Sequence, residues 1–341
     1  MGEKMVLLGD LHFGIKANVP QFVDYQVREL DRAIGYAVDQ GIKTVVFLGD
    51  IMNDRRNVYV PILRLVKRKF KEYAALGLRI IVIVGNHDAF YRNTNEINTP
   101  VEVFDGVDLT VVGTSPLTEN IGGKSCLFMP WMATDLYEKW IDFIEDSPAD
   151  YCFGHFEING FVMNNSNKCR SSLKKSHFKG FRGYFSGHFH TKNGPYVGSL
   201  SQLDWNDYGI DKGFHVLDLD TGVVDFVRSD EEMFVKVLIG PKFDFESVAG
   251  LRDRYLKVYV NRKLTTKESV MLGDLLANSL HYEVIDNTVL TDVEVGKALE
   301  TESFEDIVEG CINIQDIGDA DKERVAALIN MYYAEMLQEG L

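Results

Sequence analysis

The 341-residue sequence predicts an α/β protein: a two-sheet sandwich flanked by helices, then a small α+β unit and a C-terminal helical tail. Continuous apolar runs alternate with helical stretches over about the first 90 residues, and shorter strand-like runs follow from Thr110. Strong i, i+3, i+4 amphipathic patterns return only near the C-terminus. Those periodicities distinguish a helix-wrapped sheet from a helical bundle or an all-β chain.

In the first part, Val6–Leu8, Thr44–Leu48 and Arg79–Val84 read as strands, and Phe22–Asp39 and Pro61–Ala75 as helices. Strands apolar on both faces and joined by helical crossovers make a mostly parallel sheet. Further strands are expected at Thr110–Val112, Cys126–Met129, Tyr151–Phe153, Gly183–Phe185, Phe214–Leu219, Val223–Val227 and Phe234–Ile239. Gly240-Pro241 is a strong break and sets a first domain at residues 1–240. A strand (Leu256–Val260), a helix (Lys267–Leu280) and a strand (Tyr282–Leu290) then form a cap within 241–292. The tail, 293–341, carries two amphipathic helices, one built on Phe304, Ile307, Val308, Cys311 and Ile312, the other on Val325, Leu328, Ile329, Tyr332, Tyr333, Met336 and Leu337.

An apolar fraction of 45% supports such a core and excludes disordered, collagen-like and disulfide-scaffold classes. Cys126, Cys152, Cys169 and Cys311 form no C-x-x-C pair, so no zinc knuckle or redox motif is indicated. The run Met5–Leu8 is too short for a signal-peptide core, Val6 stands where a myristoylation signal wants Ser or Thr, and no stretch reaches the ~20 apolar residues of a membrane span. A cytoplasmic protein is expected.

The formal charge of −15 at first speaks against holding nucleic acid or an anionic membrane by bulk electrostatics. Its distribution changes that reading. Between Glu283 and Leu341, 15 acids face only Lys297, Lys322 and Arg324, which leaves −3 on everything before. Ile158–Leu203 has no acid and holds Lys168, Arg170, Lys174, Lys175, Lys179, Arg182 and Lys192.

Five motifs share one grammar, an apolar strand followed by side chains that bind metals. They are Asp10-Leu11-His12, Gly49-Asp50, Gly85-Asn86-His87-Asp88, Gly154-His155 and Gly187-His188-Phe189-His190, and they contain five of the eight histidines. Oxygen and imidazole donors without thiolate suit Mn²⁺, Fe²⁺, Zn²⁺ or Mg²⁺. Seven such donors are too many for one ion and fit two ions ~3.5–4 Å apart, the arrangement for in-line attack on phosphorus.

This order of motifs resembles the calcineurin-like metallophosphoesterases. Gly9-Asp10-Leu11-His12-Phe13-Gly14, Gly85-Asn86-His87-Asp88 and Gly187-His188-Phe189-His190, followed by Tyr196-Val197-Gly198-Ser199, are similar to the SbcD/Mre-eleven nucleases, with a length like that of their bacteriophage members. The resemblance implies a two-sheet metallophosphoesterase sandwich in which Asp10, His12 and His190 hold one metal, Asn86, His155 and His188 the other, and Asp50 bridges. It implies that His87 faces the scissile phosphate and assists the leaving oxygen. The cofactors would be two divalent ions, Mn²⁺ first and Mg²⁺ second.

One departure is Asn53, where cellular relatives carry His and related phosphatases carry an Asp that orients the third motif's histidine. An amide orients an imidazole without stabilising its charged form, so weaker exonuclease action is expected, with Asp54 or Asp88 as substitutes. The basic segment lies between the fourth and fifth motifs, so Lys168, Arg170, Lys174, Lys175, Lys179 and Arg182, with Arg55 and Arg56, are expected to meet DNA phosphates.

The expectation is therefore a Mn-dependent DNA exo/endonuclease subunit acting in recombination, repair and replication. The resemblance implies a partner ATPase of the SbcC/Rad-fifty type bound by the acidic tail, a homodimer within a heterotetramer, no membrane, and the host cytoplasm if phage-encoded. The competing readings are a phosphatase or small-molecule phosphodiesterase of the same superfamily, and a non-catalytic scaffold on this fold. The basic segment opposes the first, and the complete set of ligands opposes the second.

Overall fold

The structure, a computed structural model, describes residues 2–162 and 168–288. The first of its sheets has six strands. Its centre is the parallel set β1 (Lys4–Leu8), β2 (Thr44–Phe47), β3 (Arg79–Ile83) and β4 (Thr110–Val112). The antiparallel strands β9 (Gly213–Asp218) and β10 (Val224–Arg228) extend it beyond β1. The second sheet has four strands in sequence order: β5 (Leu117–Ile121), β6 (Lys124–Met129), β7 (Tyr151–Gly154) and β8 (Gly183–Ser186), the last three parallel.

Side-chain alternation explains the layering. In β1, Met5 and Leu7 enter the core between the sheets with Val46, Ile81, Phe128 and Phe153, while Val6 and Leu8 face the helices. The helices are α1 (Pro20–Asp39) and α2 (Val60–Ala74), which bring Leu30, Ile34, Val66 and Phe70 to that side. Both begin with proline in the first turn, where the missing N–H has no intrahelical partner to lose. A five-residue helix, α3 (Thr99–Val103), is capped by the Asn98 side chain. On the outer face of the second sheet, α4 (Tyr137–Glu145) packs Trp140, Ile141 and Ile144 against Leu127, Met129 and Cys152. Cys126, Cys152 and Cys169 are buried free thiols; Cys311 lies outside the described residues.

The chain order agrees with the sequence reading for the first sheet, and three elements escape it. The edge strand β5 reads LTENI, too polar to signal burial, and α3 and α4 are too short for a sustained apolar stripe.

A third sheet joins β11 (Phe234–Ile239), β12 (Tyr255–Val260) and β13 (His281–Asp286), with α5 (Thr266–Ala277) against it. β11 pairs in parallel with β12, so it belongs to this sheet and to neither large one. Parallel neighbours need a crossover. Gly240-Pro241 opens that crossover, and the change of sheet falls before Phe234 instead of at 240. The expected tail helices lie outside the described residues.

Candidate metal centre

All five motifs come to one place because they follow the carboxyl ends of parallel strands, where α/β sheets hold their ligands. Asp10 and His12 follow β1, Asp50 follows β2, Asn86, His87 and Asp88 follow β3, His155 follows β7, and His188 and His190 follow β8. The two sheets thus contribute from opposite sides. Asp10, His12, Asp50 and His155 are almost wholly buried, and Asn86, His87, His188 and His190 are half-buried around them.

Close approach requires the glycines. A Cβ on Gly49 would collide with the His155 ring, and one on Gly85 with Asp50. His12, Asp50 and His188 have φ of 50°, 52° and 85°, left-handed conformations that non-glycine residues seldom adopt and that cluster at functional sites.

The ligand atoms of Asp10, His12 and His190 lie within 4.8 Å of one another, and so do those of Asp50, His155 and His188. A third group of the same size joins Asp50 and His12 to His87. The Nε2 atoms of His12 and His190 are 3.1 Å apart. Asn86 Oδ1 is 2.8 Å from both His155 Nε2 and His188 Nδ1, and Asp50 Oδ2 is 3.4 Å from His155 Nε2 and 3.6 Å from His12 Nε2.

His155 Nδ1 is 2.7 Å from the Leu48 carbonyl, which can only accept, so Nδ1 carries the hydrogen. In a neutral ring, Nε2 would then aim a lone pair at the oxygens of Asn86 and Asp50. The His188 ring is placed similarly, with Nδ1 toward Asn86 and Nε2 3.3 Å from Glu157 Oε1. Lone pairs and carboxylates converging in a buried space need a proton or a metal between them. The protein alone supplies a proton: burial opposes charge on His155, but Asp50 overcomes it and raises the ring to about 9. His12 goes the other way, lowered by burial to about 4, with Asp50 offsetting only part. Burial also opposes the charge on Asp50, yet His155 and His12 hold it well below the usual carboxylate range. These oxygen and nitrogen donors fit divalent ions of the Mn²⁺, Mg²⁺ or Zn²⁺ kind.

Supporting contacts fix each donor. The His188 N–H donates to Asp10 at 2.9 Å and the His87 N–H to Asp50 at 2.8 Å. Gln26 Nε2 donates to the carbonyls of Leu11 and His12. Buried Lys212 donates to the His190 carbonyl at 2.6 Å, to Ser199 Oγ and to Asp207. Glu157, Gln26 and Lys212 escape the sequence reading. Glu157 leaves a faint trace, as an acid two residues after His155 and the last before the acid-free stretch; Gln26 and Lys212 leave none.

The orienting group for His87 differs from expectation. His87 Nδ1 is 2.6 Å from the backbone carbonyl of Asn53, so the main chain accepts its hydrogen and the amide side chain does not. Neither proposed substitute does this. Asp54 accepts the N–H groups of Arg56 and Asn57. Asp88 accepts those of Gly85, Ile51 and Met52, tying the second motif to the third; burial and then Asp50 raise it to about 7.

The basic residues separate. Arg55 lines a cleft of about 350 Å³ with Asn86, Arg92, Trp131 and Glu157, and burial followed by Arg92 lowers its guanidinium. Arg56 is exposed beside it. The segment from Lys168 is held on the outer face of the second sheet by Cys169, Leu173 and Phe178. There Arg170 and Lys174 line one cleft, and Ser171 Oγ is 2.5 Å from the hydroxyl of Tyr137, which lines the Asn86 cleft. Lys175 lies over the Phe161 ring at 4.0 Å, and Lys168 and Lys179 are exposed. Arg182 is not brought to the site. It precedes β8, at the opposite strand end from His188, and donates to the Asp220 carbonyl.

No helix among the described residues is long and apolar enough to cross a membrane. Compared with known proteins, the chain is 28% identical over 343 residues to exonuclease subunit 1 of Enterobacteria phage T4, covering 98% of this chain and 100% of that one. Among solved structures, an archaeal phosphodiesterase aligns with 12% identity and a TM-score of 0.35, over 66% of this chain and 99% of its own. A protein of unknown function from Aquifex aeolicus aligns with 20% identity and a TM-score of 0.27, over 49% and 83%. The sequence pattern of the calcineurin-like phosphoesterases matches residues 4–192, the span that carries all five motifs. The chain belongs to the calcineurin-like phosphoesterases, a family of metal-dependent hydrolases.

Proposed function

We propose that the chain is a Mn²⁺-dependent nuclease subunit that hydrolyses phosphodiester bonds at DNA ends by two-metal chemistry. The observation that carries this is the convergence of seven donors, buried Asp50 among them, from five strand ends, with His87 beside them and its Nδ1 already committed. Similarity to a phage exonuclease subunit along nearly the whole chain supports DNA as the substrate. In this reading Asp10, His12 and His190 would hold one ion and Asn86, His155 and His188 the other, with Asp50 able to serve either. Such ions, when bound, stabilise charge on the phosphoryl oxygens and lower the pKa of water.

The protein's own residues then do the rest. His87 keeps its Nδ1 hydrogen on Asn53 and delivers a proton from Nε2 to the leaving oxygen. Glu157 holds His188, and Lys212 and Gln26 hold the loops of His190 and His12, so that little reorganisation remains for the reaction. Arg55, Arg170 and Lys174 neutralise backbone phosphates on the approach. The third sheet acts as the cap, and residues 293–341 bind an SbcC/Rad-fifty-type ATPase within a dimeric complex in the host cytoplasm.

The direct test is cleavage of end-labelled linear and circular DNA with Mn²⁺. Wild type cleaves, and His87→Ala retains metal and DNA binding but loses about 10²–10⁴ in rate. Cleavage of a model diester with no action on DNA would make the protein a small-molecule phosphodiesterase, and loss of metal from His87→Ala would make His87 a ligand. Because the Asn53 carbonyl does the orienting, Asn53→Ala is expected to stay within a few-fold of wild type in single-turnover cleavage; a loss beyond about tenfold would return that role to the side chain. Arg170→Ala with Lys174→Ala should weaken DNA binding and flatten its salt dependence by about two phosphate contacts, while Arg182→Ala changes neither in a salt titration.

A further inference from the structure

Phe90, Tyr91 and Arg92 follow the third motif after a single residue, Ala89. Phe90 is 39% and Tyr91 47% exposed, although each is a large ring next to a catalytic loop. Their rings form a T-shaped pair 4.8 Å apart. The loop that carries them is pinned on both sides. The Phe90 N–H donates to the Ile97 carbonyl at 2.9 Å, Asn95 Nδ2 to the Trp131 carbonyl at 2.6 Å, and Thr134 Oγ1 to the Arg92 carbonyl at 3.0 Å. The rings are thus exposed on a backbone that is held in place, which lowers the ordering cost of a ligand.

Their surroundings specify the ligand. Phe90 and Tyr91 share a cleft of about 690 Å³ with Arg55, Arg56, Arg92 and Asp54. Asp54 is occupied by backbone N–H groups, and none of the three guanidiniums has an ion pair among the described residues. Arg55 and Arg92 also line the neighbouring cleft that contains Asn86. A path of unpaired arginines therefore runs from the metal centre to two exposed rings. Cationic grooves with rigid aromatic faces bind single strands, phosphates on the arginines and bases on the rings.

We infer that Phe90 and Tyr91 form a base-stacking subsite, with Arg55, Arg56 and Arg92 as its phosphate contacts, that holds unpaired nucleotides next to the scissile bond. This rests on the DNA-cleaving reading above. Bases stacked inside a duplex present no free face to the rings, so the subsite selects a frayed or single-stranded end over duplex interior and fixes its register against the metal centre.

The test is fluorescence anisotropy with the full-length protein in chelator, where no cleavage occurs. The probes are a labelled 12-nucleotide thymidine strand and a strand of equal length with an abasic residue at every position. Wild type should bind the base-bearing strand about tenfold or more tightly than the abasic one. Phe90→Ala with Tyr91→Ala should abolish that preference and leave abasic affinity unchanged, and Phe90→Trp with Tyr91→Phe should restore it. Arg92→Ala should weaken both probes alike. Equal wild-type affinity for the two strands, or a double alanine variant that keeps the preference, would overturn the subsite while leaving DNA as substrate. A variant that changes oligomeric state in size-exclusion chromatography and keeps the preference would make the rings a protein contact instead. Failure of wild type to bind either strand would overturn the DNA reading, and the subsite with it.

Discussion

Asp50 carries a charge in a place with almost no water, and the surrounding structure is arranged to make that tolerable. An isolated buried carboxylate costs several kcal/mol even after the protein relaxes. Here the His87 N–H donates to it, and the rings of His12 and His155 stand within 3.6 Å and 3.4 Å. Without a further cation the system is frustrated, because His155, whose Nδ1 hydrogen is committed to the Leu48 carbonyl, must hold a second proton at Nε2 for Asp50 in a buried space, while His12 is driven neutral. Cations held between these groups resolve both conflicts at once. Hence the buried carboxylate that the neighbouring rings keep ionised makes the site a receptor for positive charge.

Two sheets are needed to build such a site. Parallel strands all end on one side, so β1, β2 and β3 deliver loops from one sheet, and β7 and β8 from the other, into the same crevice. The core of Leu7, Val46, Ile81, Phe128 and Phe153 between the sheets sets their separation. Core packing thus sets the distance between Asp50 and His155, and close packing is what makes that distance reproducible. The left-handed turns at His12, Asp50 and His188 aim the side chains inward, a conformational cost that the surrounding contacts hold in place.

Much of this is legible in the sequence. Continuous apolar runs mark β1 to β3, and the residue types after each strand name a metal chemistry because few other constraints put histidine, aspartate and asparagine there. What stays hidden depends on tertiary geometry. Asn53 contributes through a carbonyl that every residue has, so its identity is uninformative. Lys212 and Gln26 come from remote elements and look like ordinary polar residues. Arg182 is close in sequence to His188, but a four-residue strand carries it to the opposite end of the sheet. Gly240-Pro241 reads as a boundary because local turn chemistry is the same whether it separates domains or opens a crossover.

The role given to Asp50 has one decisive measurement, the stoichiometry of Mn²⁺ binding by isothermal titration calorimetry for wild type and Asp50→Ala. Asp50 faces both groups of donors, so wild type should bind two ions per chain and Asp50→Ala should lose at least one, with the other weakened. Two ions bound to Asp50→Ala with wild-type affinity would contradict it.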